Sequence, residues 1–84
     1  MRIYMQQIPD DVAQAPRFLH LLIQEDLIEG WSLVREMGYQ GKSGRVRRNH
    51  FGDYSEAMQA MLKERDSQIK RGYQVVFVEG QHHE

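Results

Sequence analysis

WSLVREMGYQGKSGRVRRNHF, residues 31–51, contains two segments of alternating side-chain character that meet at Gly41-Lys42-Ser43-Gly44. Alternation is typical of half-buried β-strands, and a glycine-rich turn between two such segments predicts a hairpin. We therefore expect antiparallel strands at Trp31–Tyr39 and Arg45–Phe51. A bulge near Gly38 or Gly41 would exchange the faces of the second strand, so the pattern leaves open which arginines share the Trp31 face.

Basic residues are concentrated in this hairpin. From Arg35 to Arg48 there are five bases against the single acid Glu36, whereas the preceding stretch from Pro9 to Glu29 has five acids and one base. The formal net charge of −1 gives no overall reason to expect an anionic partner. A neutral chain can nevertheless present a positive face, which governs encounter with anions. We expect a partner to meet this hairpin; the alternative is a solvated hairpin with scattered surface charges.

The length and composition predict one small domain. The 84 residues include no cysteine, so neither disulfides nor thiolate metal sites stabilise the fold. No apolar run approaches the roughly 20 residues that span a bilayer, and the N-terminus lacks the apolar core of a signal peptide. We expect a cytoplasmic monomer without membrane contact, with residues 1–80 forming the domain and residues 81–84 a frayed tail.

Three further strands are predicted, at Met1–Ile8, Arg17–Gln24 and Tyr73–Glu79. The middle one is apolar enough to be part of a helix, but it is short and bounded by Pro16 and by acidic residues, which favours a strand. The run of valines before Glu79 is typical of a strand. We expect His20 to be a packed or half-exposed side chain, because no other ligand stands at metal spacing.

One helix is predicted between Asp53 and Gly72. Asp53 is placed to cap it, with Glu56 three residues on, and Gly72 suits the left-handed residue that ends a helix. An apolar stripe is expected to lie against the sheet; its members are Ala57, Met58, Met61, Leu62 and Ile69. The predicted fold class is therefore α+β, a twisted antiparallel sheet of about five strands with one helix packed on a face.

The sequence contains no recognisable catalytic or cofactor motif. It has no cysteine nucleophile, and its serines lack a His–acid partner at a known spacing. The hairpin glycines match neither a P-loop nor a dinucleotide fingerprint. The terminal His82-His83-Glu84 has no converging ligands elsewhere in the sequence. We expect a protein that is not an enzyme and holds neither cofactor nor metal.

An ordered set of residues along the chain resembles the WGR domain family. The set comprises Gly30-Trp31-Ser32-Leu33-Val34-Arg35-Glu36, a Gly-centred triplet, Gly41, Gly44-Arg45, Phe51, Glu56-Ala57 and Lys70-Arg71-Gly72-Tyr73. The resemblance implies a twisted antiparallel sheet with one helix, and nucleic-acid binding. Such domains occur in DNA-dependent poly(ADP-ribose) polymerases, where the motif Trp and Arg engage DNA near a strand break, and in short bacterial chains. This chain resembles the isolated bacterial module, with DNA a more expected partner than RNA.

The chain departs from the family where the triplet itself stands. Met37-Gly38-Tyr39 replaces Trp-Gly-Arg. Gly38 keeps the backbone permissiveness of the motif, Met37 offers less planar surface for stacking, and Tyr39 lacks the charge and fork of arginine.

Two functional hypotheses follow. The first is a DNA-binding module that contacts phosphates; its candidate site residues are Arg35, Met37, Gly38, Tyr39, Lys42, Arg45, Arg47, Arg48, Lys70 and Arg71. The second is a protein–protein interaction domain that keeps the fold and has lost nucleic-acid binding.

Overall fold

In the part of the chain that the structure describes, five strands form one antiparallel sheet, and a single helix packs on one of its faces. The computed structural model describes residues 1–11 and 13–80. The elements are β1 (Arg2–Gln7), β2 (Arg17–Glu25), β3 (Trp31–Tyr39), β4 (Arg45–Phe51), α1 (Tyr54–Lys70) and β5 (Gln74–Glu79). The predicted α+β class is confirmed, and the ends of three strands differ from the predicted ones by one residue. The expected frayed tail at residues 81–84 lies outside the described residues.

The strand order is β4-β3-β2-β1-β5, so the chain begins near one edge and must cross the sheet to form the last strand. Helix α1 makes that crossing between β4 and β5. Its 17 residues correspond to a length of about 26 Å. Four inter-strand spacings amount to about 19 Å. One helix is therefore long enough to connect the two edges. In the described part of the chain, α1 is not long and apolar enough to cross a membrane.

The core lies between α1 and the three central strands. Its fully buried side chains alternate along β1 and β2, as a sheet with one covered face requires. They meet Ala57 and Met61 from the helix and Tyr73 from the segment before β5. Met5 and Met61 are both 0% exposed, so these methionines fill the core.

Both ends of the helix are formed by the residues that the sequence predicts, but one member of the predicted apolar stripe is exposed. The Glu56 backbone N–H donates to Asp53 Oδ1 at 2.8 Å, which confirms the N-cap. Gly72 has a φ of +99°, as expected of the terminating residue. Ile69, predicted to face the sheet, is 47% exposed, while Gln68 is 5% exposed. At about 100° per residue, Gln68 returns to the line of Met61 and Ile69 lies roughly 80° away, so the prediction for Ile69 is wrong.

The hairpin register is regular. Trp31 pairs with Phe51, Arg35 with Arg47, and Met37 with Arg45, without an intervening bulge. Directly paired residues project to the same side of a sheet. Arg45 and Arg47 therefore share the Trp31 face, which is the face that α1 covers in part. This settles the alternative that the sequence left open.

Gly38 and Gly44 are required for a close approach of the two hairpin strands. A methyl group at Gly38 would lie 2.9 Å from the Gly44 Cα, and one at Gly44 would lie 2.7 Å from the Met37 carbonyl oxygen. Neither residue has a positive φ. Gly38 is therefore needed for the space that it leaves between the two backbones, and not for a positive φ.

We expect Gly38→Ala to destabilise the fold by about 1–3 kcal/mol, because the clashing atom belongs to backbone and moves only with the strand. Chemical denaturation measures the change. Gly52→Ala is the matched control, since a methyl there meets only Glu56 Oε1 at 3.8 Å. That control should be neutral or slightly stabilising. Equal stability of the two variants would contradict the close-approach explanation.

The turn between β2 and β3 is tied to β4 by Asp26. The Ser32 hydroxyl donates to Asp26 Oδ1 at 2.8 Å, and His50 Nδ1 donates to Oδ2 at 2.5 Å. The Ser32 hydrogen bond, followed by that of His50, lowers the pKa of Asp26. The carboxylate thus fastens the turn to the edge strand of the hairpin.

A lowered native pKa means that Asp26 stabilises the fold above its unfolded pKa of about 3.9, and that this contribution is lost as the pH falls through the lower native value. We expect wild type to be more stable than Asp26→Asn at pH 6, with the difference shrinking below about pH 4. Thermal melts across this range measure it. Asp66→Asn controls for the loss of an exposed carboxylate; a constant difference for Asp26→Asn would contradict the assignment.

Candidate nucleic-acid interface

The register divides the arginines of β4 between the two faces of the sheet. Arg45 and Arg47 pair with Met37 and Arg35, and all four lie on the helix side. Arg48 pairs with Val34 on the opposite face. The structure therefore brings four of the candidate site residues together and places Arg48 away from them. We name the group of Arg35, Met37, Arg45 and Arg47 the arginine pocket.

The arginine pocket is an open cavity of about 240 Å³. Met37 is partly buried and packs against the core, so it contributes an apolar wall anchored in the fold. Arg45 and Arg47 are exposed, whereas Arg35 is half-buried beside the helix. The pocket thus combines one apolar side chain with three guanidinium-bearing side chains.

One of the three guanidinium groups is neutralised, and the other two are not. Arg35 Nη1 lies 3.3 Å from Glu64 Oε1, and Gln68 Nε2 donates to the other oxygen of that carboxylate at 2.9 Å. Among residues 1–11 and 13–80, no carboxylate lies within 4.0 Å of the Arg45 or Arg47 guanidinium. Like charges directly opposite each other on a sheet are unfavourable, and Arg35 faces Arg47 in this way. The surplus positive charge is therefore that of Arg45 and Arg47.

Tyr39 stands at the end of β3 and contacts an arginine that the sequence analysis missed. Arg17 Nη2 donates to Tyr39 Oη at 2.9 Å, and its guanidinium carbon lies 5.1 Å from the ring centroid. The hydrogen bond to Tyr39 raises the pKa of Arg17, a group that is charged at neutral pH in any case. Arg17 opens β2 and Tyr39 closes β3, and antiparallel neighbours pair such ends. The pairing of these two strand ends is the signal from which the contact between Arg17 and Tyr39 could be predicted.

The remaining candidates lie at the same end of the sheet. Lys42 is exposed in the hairpin turn, where its N–H donates to the Tyr39 carbonyl at 3.1 Å. Lys70 and Arg71 are exposed at the C-terminus of α1. The Arg71 carbonyl accepts from Gln7 Nε2 at 2.6 Å. Because Gln7 pairs with Arg17 and Arg17 with Tyr39, the end of the helix lies on the Tyr39 side of the domain.

The face opposite α1 has a different chemistry. Tyr4 stacks between Phe18 and Phe77, with ring centroids 6.3 and 5.6 Å away, and meets the edge of His20. Burial, followed by the charge of Arg2, lowers the pKa of His20, so this half-exposed imidazole favours its neutral form. This face is aromatic rather than basic, and it carries two of the candidate site residues: Arg48, and Gly38, which pairs with Phe18.

Metal ligands do not converge in the described part of the chain: no group of three or more His, Cys, Asp or Glu side chains there is placed to hold an ion. The terminal histidines that the sequence analysis considered lie outside the described residues. On the face of the sheet that α1 packs against, the candidate side chains near the hairpin turn therefore offer guanidinium groups, one phenol and one thioether.

The comparisons with known proteins agree with this architecture. A family model described as the WGR domain matches residues 1–79. No match was found among curated proteins or among solved structures. The family match spans nearly the whole chain, and the structure has the antiparallel sheet and single helix that the resemblance implied. This protein therefore belongs to the WGR domain family.

Proposed function

We propose that this chain is a non-catalytic module that binds DNA through phosphate contacts centred on the arginine pocket. WGR domains are a nucleic-acid-binding type of module. The observation that carries the proposal is the pair of guanidinium groups of Arg45 and Arg47, which no described carboxylate neutralises. They stand next to Arg35 and Met37 in one pocket.

A phosphate is the anion that fits this arrangement best. A guanidinium group donates two parallel hydrogen bonds to phosphate oxygens, and a bound phosphate would relieve the repulsion between the opposed arginines. The deoxyribose next to a phosphate has an apolar surface, which the thioether of Met37 can contact. A site with both kinds of side chain therefore suits a sugar-phosphate backbone better than an isolated anion.

Arg17 supports the proposal at the position where the motif arginine is replaced. Tyr39 provides a ring and a hydroxyl but no charge, and Arg17 brings a guanidinium to within 5.1 Å of that ring. We propose that the neighbouring strand supplies the cation that the triplet lacks. Tyr39 then positions Arg17 through its hydroxyl and its ring face.

Binding through these groups should depend weakly on sequence, because phosphate contacts carry no base information. Lys42, Lys70 and Arg71 add positive charge at the same end of the domain. The preference for DNA over RNA rests on the resemblance to DNA-dependent enzymes.

We expect the chain to bind a fluorescently labelled nicked duplex with an affinity that falls steeply with salt. About four neutralised phosphates give a slope of about −4 in a plot of log Kobs against log salt concentration. The double variant Arg45→Gln/Arg47→Gln should bind at least about tenfold more weakly at low salt and reduce the slope by about two. Fluorescence anisotropy measures both quantities.

The matched control is Arg48→Gln/Lys63→Gln, which removes two charges from outside the pocket, one of them on the same strand. It should keep most of the affinity, and circular dichroism should show both double variants folded. Absence of binding at low salt to nicked, gapped or blunt duplex would contradict the proposed function. Equal losses in the two double variants would contradict its assignment to the arginine pocket.

Arg17→Gln should weaken binding and reduce the salt slope by about one, because it removes one phosphate contact. Tyr39→Phe deletes the hydrogen bond to Arg17 while keeping the ring, and should produce a smaller loss with the slope unchanged. The same anisotropy titration measures both. A binding curve of Arg17→Gln that superimposes on that of wild type would contradict the proposed role of Arg17 in DNA binding.

A further inference from the structure

Helix α1 places one carboxylate against an arginine of the arginine pocket. Arg35 Nη1 donates a hydrogen bond to Glu64 Oε1 at 3.3 Å, and the side chains of Arg35 and Glu64 are 26% and 18% exposed. Arg35 lines the pocket, whereas Glu64 is not among the residues that line it. The guanidinium of Arg35 therefore belongs both to an ion pair with the helix and to a cluster with Arg45 and Arg47.

The ion pair uses little of the hydrogen-bonding capacity of the guanidinium. An arginine has five N–H donors and holds a carboxylate or a phosphate best through two parallel hydrogen bonds of about 2.7–2.9 Å. Here one nitrogen makes a single contact of 3.3 Å. Among residues 1–11 and 13–80, the buried Nε of Arg35 has no hydrogen-bond partner. A phosphate that takes up the fork geometry would therefore bind this guanidinium better than Glu64 does.

The carboxylate of Glu64 has a second partner that would remain if Arg35 turned away. Gln68 Nε2 donates to Glu64 Oε2 at 2.9 Å, and Gln68 is 5% exposed. Because the side chains of Arg35 and Glu64 are both partly exposed, water can also solvate them when they separate. The ion pair is thus easier to open than a fully buried one, in which each charge would lose its partner without gaining water.

We propose, on the basis of the proposed DNA binding, that Arg35 exchanges Glu64 for a DNA phosphate and that Glu64 thereby limits the affinity. In the free domain, the charge of Arg47 directly opposite Arg35 favours the pair with Glu64. A phosphate held by Arg45 and Arg47 reverses this balance, since it attracts the guanidinium and repels the carboxylate. Glu64 is therefore an internal competitor of the phosphate for one arginine.

Removal of the competing charge should strengthen binding. We expect Glu64→Gln to bind the nicked duplex at least about threefold more tightly at low salt, with a salt slope steeper by about one, because the site gains one net positive charge. The introduced amide has nearly the shape of the carboxylate. It can donate to Gln68 Oε1, a buried acceptor with no partner in the described part of the chain.

Asp66→Asn is the matched control on the same helix. Asp66 lies two residues after Glu64, about 200° around the helix, and its carboxylate is 2.8 Å from Arg65 Nη2. The substitution changes the net charge of the chain by the same amount. The affinity and the salt slope of Asp66→Asn should match those of wild type. Equal gains in the two variants would overturn the proposal, because net charge alone would then explain them.

The gain should also depend on Arg35, the residue for which carboxylate and phosphate compete. In an Arg35→Gln background, Glu64→Gln should raise the affinity by less than it does in the wild-type chain. Gains of equal size with and without Arg35 would overturn the exchange, since Glu64 would then act on the DNA by its charge alone. Fluorescence anisotropy measures the four affinities, and circular dichroism checks that each variant is folded.

Side-chain NMR signals of the wild-type chain test the exchange directly and require no variant to fold. During titration of the ¹⁵N-labelled chain with the nicked duplex, the Nε signal of Arg35 and the side-chain amide signals of Gln68 should shift together with the backbone amides of Arg45 and Arg47. Backbone shifts at Arg45 and Arg47 without a change in either side-chain signal would overturn the exchange and leave the proposed DNA binding intact. A duplex that moves no signal would contradict both.

Discussion

The regular register of β3 between β2 and β4 is the constraint on which the rest of the structure depends. A slip of one residue would exchange the faces of β3, placing Leu33 in solvent and moving the guanidinium of Arg35 away from Glu64. The close approach of Gly38 and Gly44 permits this register at the turn end. At the other end, Asp26 holds the β2–β3 turn to His50 on β4. One pairing thus sets both the core and the positions of the arginines.

The same register explains how a chain with a net charge of −1 can present a local positive surface. Acids are not excluded from the helix side, since Glu64 neutralises Arg35 there. What matters is that Arg45 and Arg47 project beside that pair from a strand at the edge of the sheet, where the helix does not cover them. Arg17 adds a further cation from the opposite side of β3. The positive field is therefore local, and the net charge says little about it.

The sequence predicted the elements and the fold class because its signals were local: alternation in the strands, a capping aspartate and a terminating glycine around the helix. It could not place Arg48 on the other face, because the parity of β4 depends on whether a bulge occurs at the turn. Arg17 was missed because its partner Tyr39 is distant in sequence. The prediction for Ile69 is wrong because it rests on the apolar character of the side chain alone. On the helix, the polar Gln68 lies in line with Met61 and Ile69 does not. The positions of Arg48 and Arg17 depend on the register of the strands, and that of Ile69 depends on the rotation of the helix about its axis.

We propose that this WGR domain binds the DNA backbone through the helix side of its hairpin. A titration of the ¹⁵N-labelled chain with a nicked duplex at low salt, followed residue by residue in amide spectra, tests it most directly. We expect shifts in residues 35–39, 44–47 and 70–72 and at Arg17, with Tyr4, His20 and Val34 on the aromatic face unchanged. Shifts centred on that aromatic face, or spectra unaltered by saturating duplex, would contradict it.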